Sequence, residues 1–278
     1  MIIIFINFFI PLCFPCKMKI RAFDILGSVA IVNFPRDFKT QDKQKFAKKI
    51  MKEQRQIKTV LEKTEKVKGR LRKPHTIYIA GEKTKEVLYR ENGCIFRFNV
   101  DNTYFSPRLS NERKDVASMI KPNKEVFVMF AGVAPFSIVI AKNSKCKKVY
   151  SNELNRNANK YAELNIELNK VKDKVELVNG DIKKIAKKLS EKRKRFDVIV
   201  MPRPQLKDSF LKEAFMLSKK NTKIYYYDFS RVDETERIIE KIKKEARECR
   251  KKIKILNTKA AGEIAPYKIR FRVDFIVL

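Results

Sequence analysis

The 278-residue sequence is poor in metal-ligating and disulfide-forming residues: it has one histidine, His75, and five cysteines. Cys13, Cys16, Cys94, Cys146 and Cys249 are odd in number and scattered, which fits reduced thiols in a cytosolic protein rather than a disulfide framework. Cys13 and Cys16 form a CxxC with no second pair at zinc spacing, so no thiolate–imidazole metal site is expected. Acid is scarce as well, with 32 Asp and Glu against 64 Lys and Arg, a formal charge of +32. So positive a surface attracts polyanions, and nucleic acid is the first partner to consider. There is no phosphate-binding GxGxxG and no P-loop lysine motif, which argues against a nicotinamide dehydrogenase and an ATPase. Internal repeats and low-complexity linkers are also missing. What is present, 44% hydrophobic and 35% charged residues, describes a globular chain with enough length for one large domain or two modest ones.

Residues 1–16 are almost wholly apolar, carry no charge and include Pro11 and Pro15. They are short for a membrane span and lack the basic start of a signal peptide. Two readings follow, a weak anchor or sequence upstream of a true start at Met18. The second is expected, because an ordinary globular pattern begins at Lys19, and no membrane partner is inferred.

Residues 25–32 read as a strand ended by Pro35, and 40–67 as one or two amphipathic helices carrying Phe46, Ile50, Ile57, Val60 and Leu61. Short strands follow over 76–80, 86–89 and 94–100, with Asn92-Gly93 as a hairpin turn. Ser106-Pro107 opens a helix that runs to about Ile120. Beyond Glu125 the pattern alternates: strands over 125–130, 148–152, 175–179, 196–201 and 223–229, helices over 135–142, 155–169, 182–189 and 234–248, and a last strand over 268–278. The expected fold is α/β, a Rossmann-like, doubly wound, mostly parallel sheet over 104–278, preceded by a small α+β domain over 18–103.

In such a sheet a ligand sits beyond the carboxyl ends of the strands at the switch point. The loop there is Phe130-Ala131-Gly132-Val133-Ala134-Pro135. Gly132 permits close backbone approach, and the next helix N-terminus can hold the carboxylate of S-adenosylmethionine. Glu153, after the second strand, can accept both ribose hydroxyls or cap the following helix. Asp181, after the third, can bind the adenine amino group or act as an N-cap. Met201, ending the fourth strand, is counted with the cofactor residues.

The segments Tyr104-Phe-Ser-Pro-Arg-Leu-Ser-Asn-Glu-Arg113 and Met129-Phe-Ala-Gly-Val-Ala-Pro-Phe-Ser137 resemble the archaeal and eukaryotic tRNA (guanine-37-N1)-methyltransferases, as do residues 60–64, 67–69, 80–82, 91–94 and 165–170. The resemblance runs from about Phe23 to the C-terminus. It implies methyl transfer from S-adenosylmethionine, with magnesium as a further candidate, to guanine N1 in the anticodon stem-loop of tRNA. It also implies that the family's tRNA-elbow domain is missing, and points to no protein partner. Guanine N1 carries a proton at neutral pH, so a base is required, and Glu112 matches the family's general base; as a first-turn acid it would also suit the helix dipole. Tyr104 matches the residue that contacts the target base or methionine moiety. Arg72, or else Arg70, matches an arginine for guanine O6, with a phosphate contact as its alternative. Arg108 and Arg113 fall on the substrate side.

Three positions depart from the family pattern. Val128 replaces an acid, Ala134 replaces the second loop glycine, and Pro202 replaces the asparagine of Asn-Leu-Pro among the substrate-binding positions. These departures keep two rivals in view: a wyosine-pathway enzyme, methylating a tricyclic intermediate or transferring aminocarboxypropyl, and an RNA-binding homologue with weakened catalysis.

Overall fold

Gly27 and Ser28 divide the first apolar run. In the computed structural model, which describes residues 23–64, 74–231, 234–265 and 268–278, the single strand expected over 25–32 is a hairpin of β1 (Phe23–Leu26) and β2 (Val29–Val32). Gly27 has φ +58, and a Cβ there would lie 2.2 Å from the Leu88 carbonyl oxygen, so the turn admits only glycine. The stretch read as helical over 40–67 is also two elements. Helix α1 (Thr40–Glu53) buries Phe46, Ala47 and Ile50, and β3 (Thr59–Lys63) then runs parallel to β2. Val60 and Leu61 are neighbours and both fully buried, as happens on a strand covered on both faces; helical spacing was the wrong period for them. β4 (Thr76–Gly81) completes a four-stranded sheet ordered β1-β2-β3-β4. Arg70, Arg72, the 67–69 motif and residues 1–22 lie outside the described residues.

β5 (Glu86–Glu91) and β6 (Cys94–Asn99) pair through Asn92 and Gly93, both at positive φ, as a two-residue hairpin turn requires. This hairpin packs on the larger unit. The side chain of Asn165, on α4 (Arg156–Leu168), accepts from Arg97 N at 2.7 Å and donates to Arg97 O and Val133 O; Asn169 brackets Ile95 in the same way. Two buried amides thus satisfy backbone groups on β6 that no strand reaches.

A 3₁₀ turn (Pro107–Leu109) and α2 (Ser110–Ser118) lead into the main sheet. Its strands are β7 (Glu125–Val128), β8 (Lys148–Glu153), β9 (Val175–Asn179), β10 (Phe196–Met201), β11 (Ser218–Arg231), β12 (Ile253–Ala265) and β13 (Lys268–Val277). The order is β12-β13-β11-β10-β7-β8-β9; the five strands from β11 to β9 run parallel, and β13 and β12 close the edge antiparallel. Along β7 alternate residues enter different cores. Val126 and Val128 pack with α3 (Pro135–Asn143) and α4, whereas Phe127 and Met129 pack with α5 (Ile182–Glu191), α6 (Leu211–Leu217) and α7 (Thr235–Glu248). Burial on both faces explains the continuous apolar runs. α6 and β12 escaped the sequence reading, because α6 has seven residues and β12 is a lysine-bearing edge strand broken by register shifts. Among the described residues no helix is long and apolar enough to cross a membrane.

Candidate active site

The chain leaves β7 for β8 on one side, while β10 lies on the other, so the order of the parallel strands reverses between β7 and β10. A cleft of about 1070 Å³ opens at the carboxyl ends of the strands there. The β7–α3 loop forms its floor. Phe130, Gly132 and Ala134 adopt φ of 55°, 59° and 65°, three left-handed residues in five. Such backbone is costly for non-glycine residues and gathers at functional sites. A Cβ on Gly132 would come within 3.3 Å of the Tyr104 carbonyl oxygen, so the glycine lets this loop sit tight against the 104–113 segment.

The ends of β7, β8 and β9 are laced together. Ala131 N donates to Asn152 O, and Asn152 Nδ2 donates to Val178 O and Gly180 O. Gly132 N donates to Glu153 Oε2 at 2.8 Å, while Leu154 N and Asn155 N donate to Oε1. Burial raises the Glu153 carboxyl above its ordinary value, and these three N–H groups pull it back only partly. Oε1 is filled by its two N–H donors, while Oε2 accepts one and keeps acceptor capacity for a hydroxyl of a vicinal diol. Asp181 caps α5 by accepting from Lys183 N at 3.0 Å and also lines the cleft.

The cleft gathers Tyr104, Arg113, Phe130, Ala131, Gly132, Pro135, Glu153, Asp181 and Pro202 from the expected residues. Val133 and Met201 are fully buried behind it. Arg108 pairs with Asp24 at 3.0 Å, and Arg72 is not described. Arg113 is buried, grips Glu91 through Nε and Nη2, and donates to Ser106 O. Glu112 stands one layer behind the cleft. Its carboxylate accepts from Tyr227 Oη at 3.0 Å and Arg272 Nη1 at 2.7 Å, and pairs with Lys259 at 3.1 Å. Tyr227 in turn packs edge-on against Phe136 of the cleft wall.

Other lining residues were missed: Arg203, Phe210, Phe229 and Arg270. Phe210 precedes α6, an element that the sequence reading did not find, whereas Arg270 lies in, and Arg203 and Phe229 at the ends of, strands that it identified, and strand ends were the available signal.

The departures look different in place. Val128 is fully buried beneath the loop, and Ala134 is fully buried at the start of α3. An alanine in left-handed backbone costs roughly 1 kcal/mol, and burying its methyl returns about 0.8 kcal/mol, so the Ala134 substitution is close to neutral for stability.

Comparison with known proteins gives the same picture. Residues 87–256 match the TRM5/TYW2 methyltransferase domain, and residues 17–84 the TYW2 N-terminal domain. The tRNA (guanine(37)-N(1))-methyltransferase Trm5b of Pyrococcus abyssi is 35% identical, over 92% of this chain and 74% of that relative. A Nanoarchaeum equitans relative, the tRNA (guanine(37)-N(1))/4-demethylwyosine(37)-methyltransferase Taw22, is 33% identical, over 92% of this chain and 100% of its own length. The crystal structure of Pyrococcus abyssi Trm5b superposes with a TM-score of 0.81 at 33% identity, covering 93% of this chain and 75% of that one. With its methyltransferase domain matched over more than half its length, and that domain's loop and strand-end acids facing one cleft, the chain belongs to the TRM5/TYW2 methyltransferase family.

Proposed function

We propose that this protein transfers a methyl group from S-adenosylmethionine to N1 of guanosine 37, beside the anticodon of tRNA. The observation that carries the reading is the convergence of the Gly132 loop, Glu153 and Asp181 on one cleft with Tyr104. S-adenosylmethionine would supply an electrophilic methyl group. Its ribose diol fits the Glu153 carboxylate, its adenine amino group Asp181, and its carboxylate the α3 N-terminus. Phe130, Ala131 and Pro135 wall that half of the cleft.

The target base has to leave the anticodon-loop stack before its edge is accessible. Tyr104, by the family resemblance, meets the base or the methionine moiety beside it. Arg72, by the family resemblance, hydrogen-bonds O6. Glu112 takes the N1 proton as N1 bonds to the methyl carbon, with S-adenosylhomocysteine as the by-product. In the free protein Arg272, Lys259 and Tyr227 hold Glu112 one layer behind the cleft, so catalysis requires this carboxylate to reach the cleft when the base enters. Arg113 supports the wall by fixing Glu91 to the 104–106 segment. We also propose two domains, a small α+β one over 18–103 and a methyltransferase one over 104–278, with the β5–β6 hairpin packed on α4.

A second reading, methylation of the tricyclic 4-demethylwyosine, is favoured by the relative that carries both activities in its name and whose full length this chain spans. One experiment serves both. The purified protein is given S-adenosylmethionine and transcripts with guanosine or adenosine at position 37, plus a tRNA bearing 4-demethylwyosine, and the digests are analysed by mass spectrometry. The expected product is 1-methylguanosine from the first transcript and no product from the second. Absence of 1-methylguanosine, or an aminocarboxypropyl adduct, sinks the first reading; an unmodified 4-demethylwyosine sinks the second.

A further inference from the structure

β10 ends in Met201-Pro202-Arg203-Pro204, and this sequence leaves few hydrogen-bond donors at the strand end. Pro202 and Pro204 have no N–H. Arg203 N already donates to Met201 O at 2.7 Å. The Arg203 guanidinium is 4% exposed as a residue and heavily committed: Nη2 is paired with Asp228, and Nη1 donates to the carbonyl oxygens of Pro204, Leu206 and Asp208. Arg203 Nε alone remains, a buried donor without an acceptor. A buried N–H left unsatisfied is destabilising and rare. Of the described residues with such an orphaned side-chain atom, only Arg203 lines the cleft.

The position along the sheet says which ligand this side chain lies beside. Strand ends β9, β8 and β7 carry Asp181, Glu153 and the Gly132 loop, which accommodate a nucleoside and its methionine. The other half of the cleft, over β10 and β11, is left for the methyl acceptor. There the Phe229 ring lines the cleft, with the guanidinium groups of Arg203 and Arg270 5.9 Å and 5.4 Å from its centre. An aromatic face of this kind stacks any base.

We infer that Phe229 and Arg203 form the acceptor-base subsite, Phe229 stacking on the base and Arg203 Nε–H donating to its O6 carbonyl. The inference rests on the methyltransferase reading above. An asparagine amide at this strand end would offer both a donor and an acceptor; Arg203 offers a donor only. The subsite therefore takes a purine with a keto group, guanine or a tricyclic base derived from it, and repels the exocyclic amine of adenine. A carbonyl oxygen accepts two hydrogen bonds, so a second donor at O6 is compatible with this one.

The test is a cycle of protein and substrate changes. Transcripts with guanosine or 6-thioguanosine at position 37 are assayed with the native protein and with Arg203→Lys, which removes Nε–H. Cofactor affinity is measured by calorimetry as a control for folding. For the native protein, the weaker sulfur acceptor is expected to raise KM for tRNA roughly tenfold. For Arg203→Lys, KM starts higher and the two transcripts give the same value. A sulfur effect in Arg203→Lys within twofold of the native one overturns the inference. If Arg203→Lys does not bind cofactor, Phe229→Leu decides: KM for tRNA is expected to rise roughly tenfold with cofactor affinity unchanged, and an unchanged KM overturns it. A native protein that methylates neither transcript refutes the methyltransferase reading itself.

Discussion

Glu112 is a buried carboxylate behind the cleft and Glu153 a part-buried one on it, and their surroundings differ in a way that separates their roles. Glu112 is surrounded by cations and a phenol, Arg272, Lys259 and Tyr227, while Glu153 is surrounded by backbone N–H groups. Arg272 also pairs with Asp274 at 2.8 Å and Asp115 at 3.8 Å, so removing the charge of Glu112 leaves that guanidinium two acidic partners. Glu112→Gln is therefore expected to fold, to bind cofactor normally and to lose turnover by about 10²-fold or more. Turnover equal to the native value in single-turnover assays would reduce Glu112 to a structural ion pair. For Glu153 the sign follows from its raised pKa. Protonation on acidification begins at a higher pH than for an ordinary glutamate, and the protonated form gives up one acceptor oxygen. Cofactor affinity should accordingly fall as pH drops through a range beginning above the usual 4.5. A titration by calorimetry should show that slope in the native protein and a flat, weaker profile in Glu153→Gln.

At the scale of the element, the β7–α3 loop matters through its backbone. Gly132 has left-handed φ and lies close to Tyr104 O. Gly132→Ala is expected to add roughly 1–2 kcal/mol of strain and to push the 104–113 segment outward. Thermal denaturation should drop by several degrees, and cofactor Kd should rise at least about fivefold. A variant with unchanged Kd would show that the close approach is not needed for binding. The sequence marked this glycine but not the reason for it, because Tyr104 is 28 positions away in the chain and only packing makes them neighbours.

Over the whole molecule, the charge of +32 sets how tRNA is met. Helix α5 alone presents Lys183, Lys184, Lys187 and Lys188. Binding through such residues releases counterions from the RNA, with log affinity falling by about 0.7–0.9 per phosphate contact for each decade of salt. KM for tRNA should therefore climb steeply between 50 and 200 mM salt, by roughly tenfold or more, while Kd for the cofactor moves little. Comparable salt dependence of both would mean that the charge does not serve RNA binding.

The sequence by itself determined the alternation of strands and helices after Glu125, the loop glycine and the acids at two strand ends, because these depend on local periodicity and chain order. It misread residues 25–32 and 57–61, where short strands covered on both faces lack any period of their own. Tertiary structure alone decided that β5 and β6 pack on α4, that Val133 and Met201 point into the core, and that Glu112 sits behind the cleft in the grip of Arg272. It also decided that Arg203, an unremarked arginine between two prolines, keeps one buried donor without a partner. Each of these depends on which residues from distant parts of the chain exclude water from one another, and no local pattern records that.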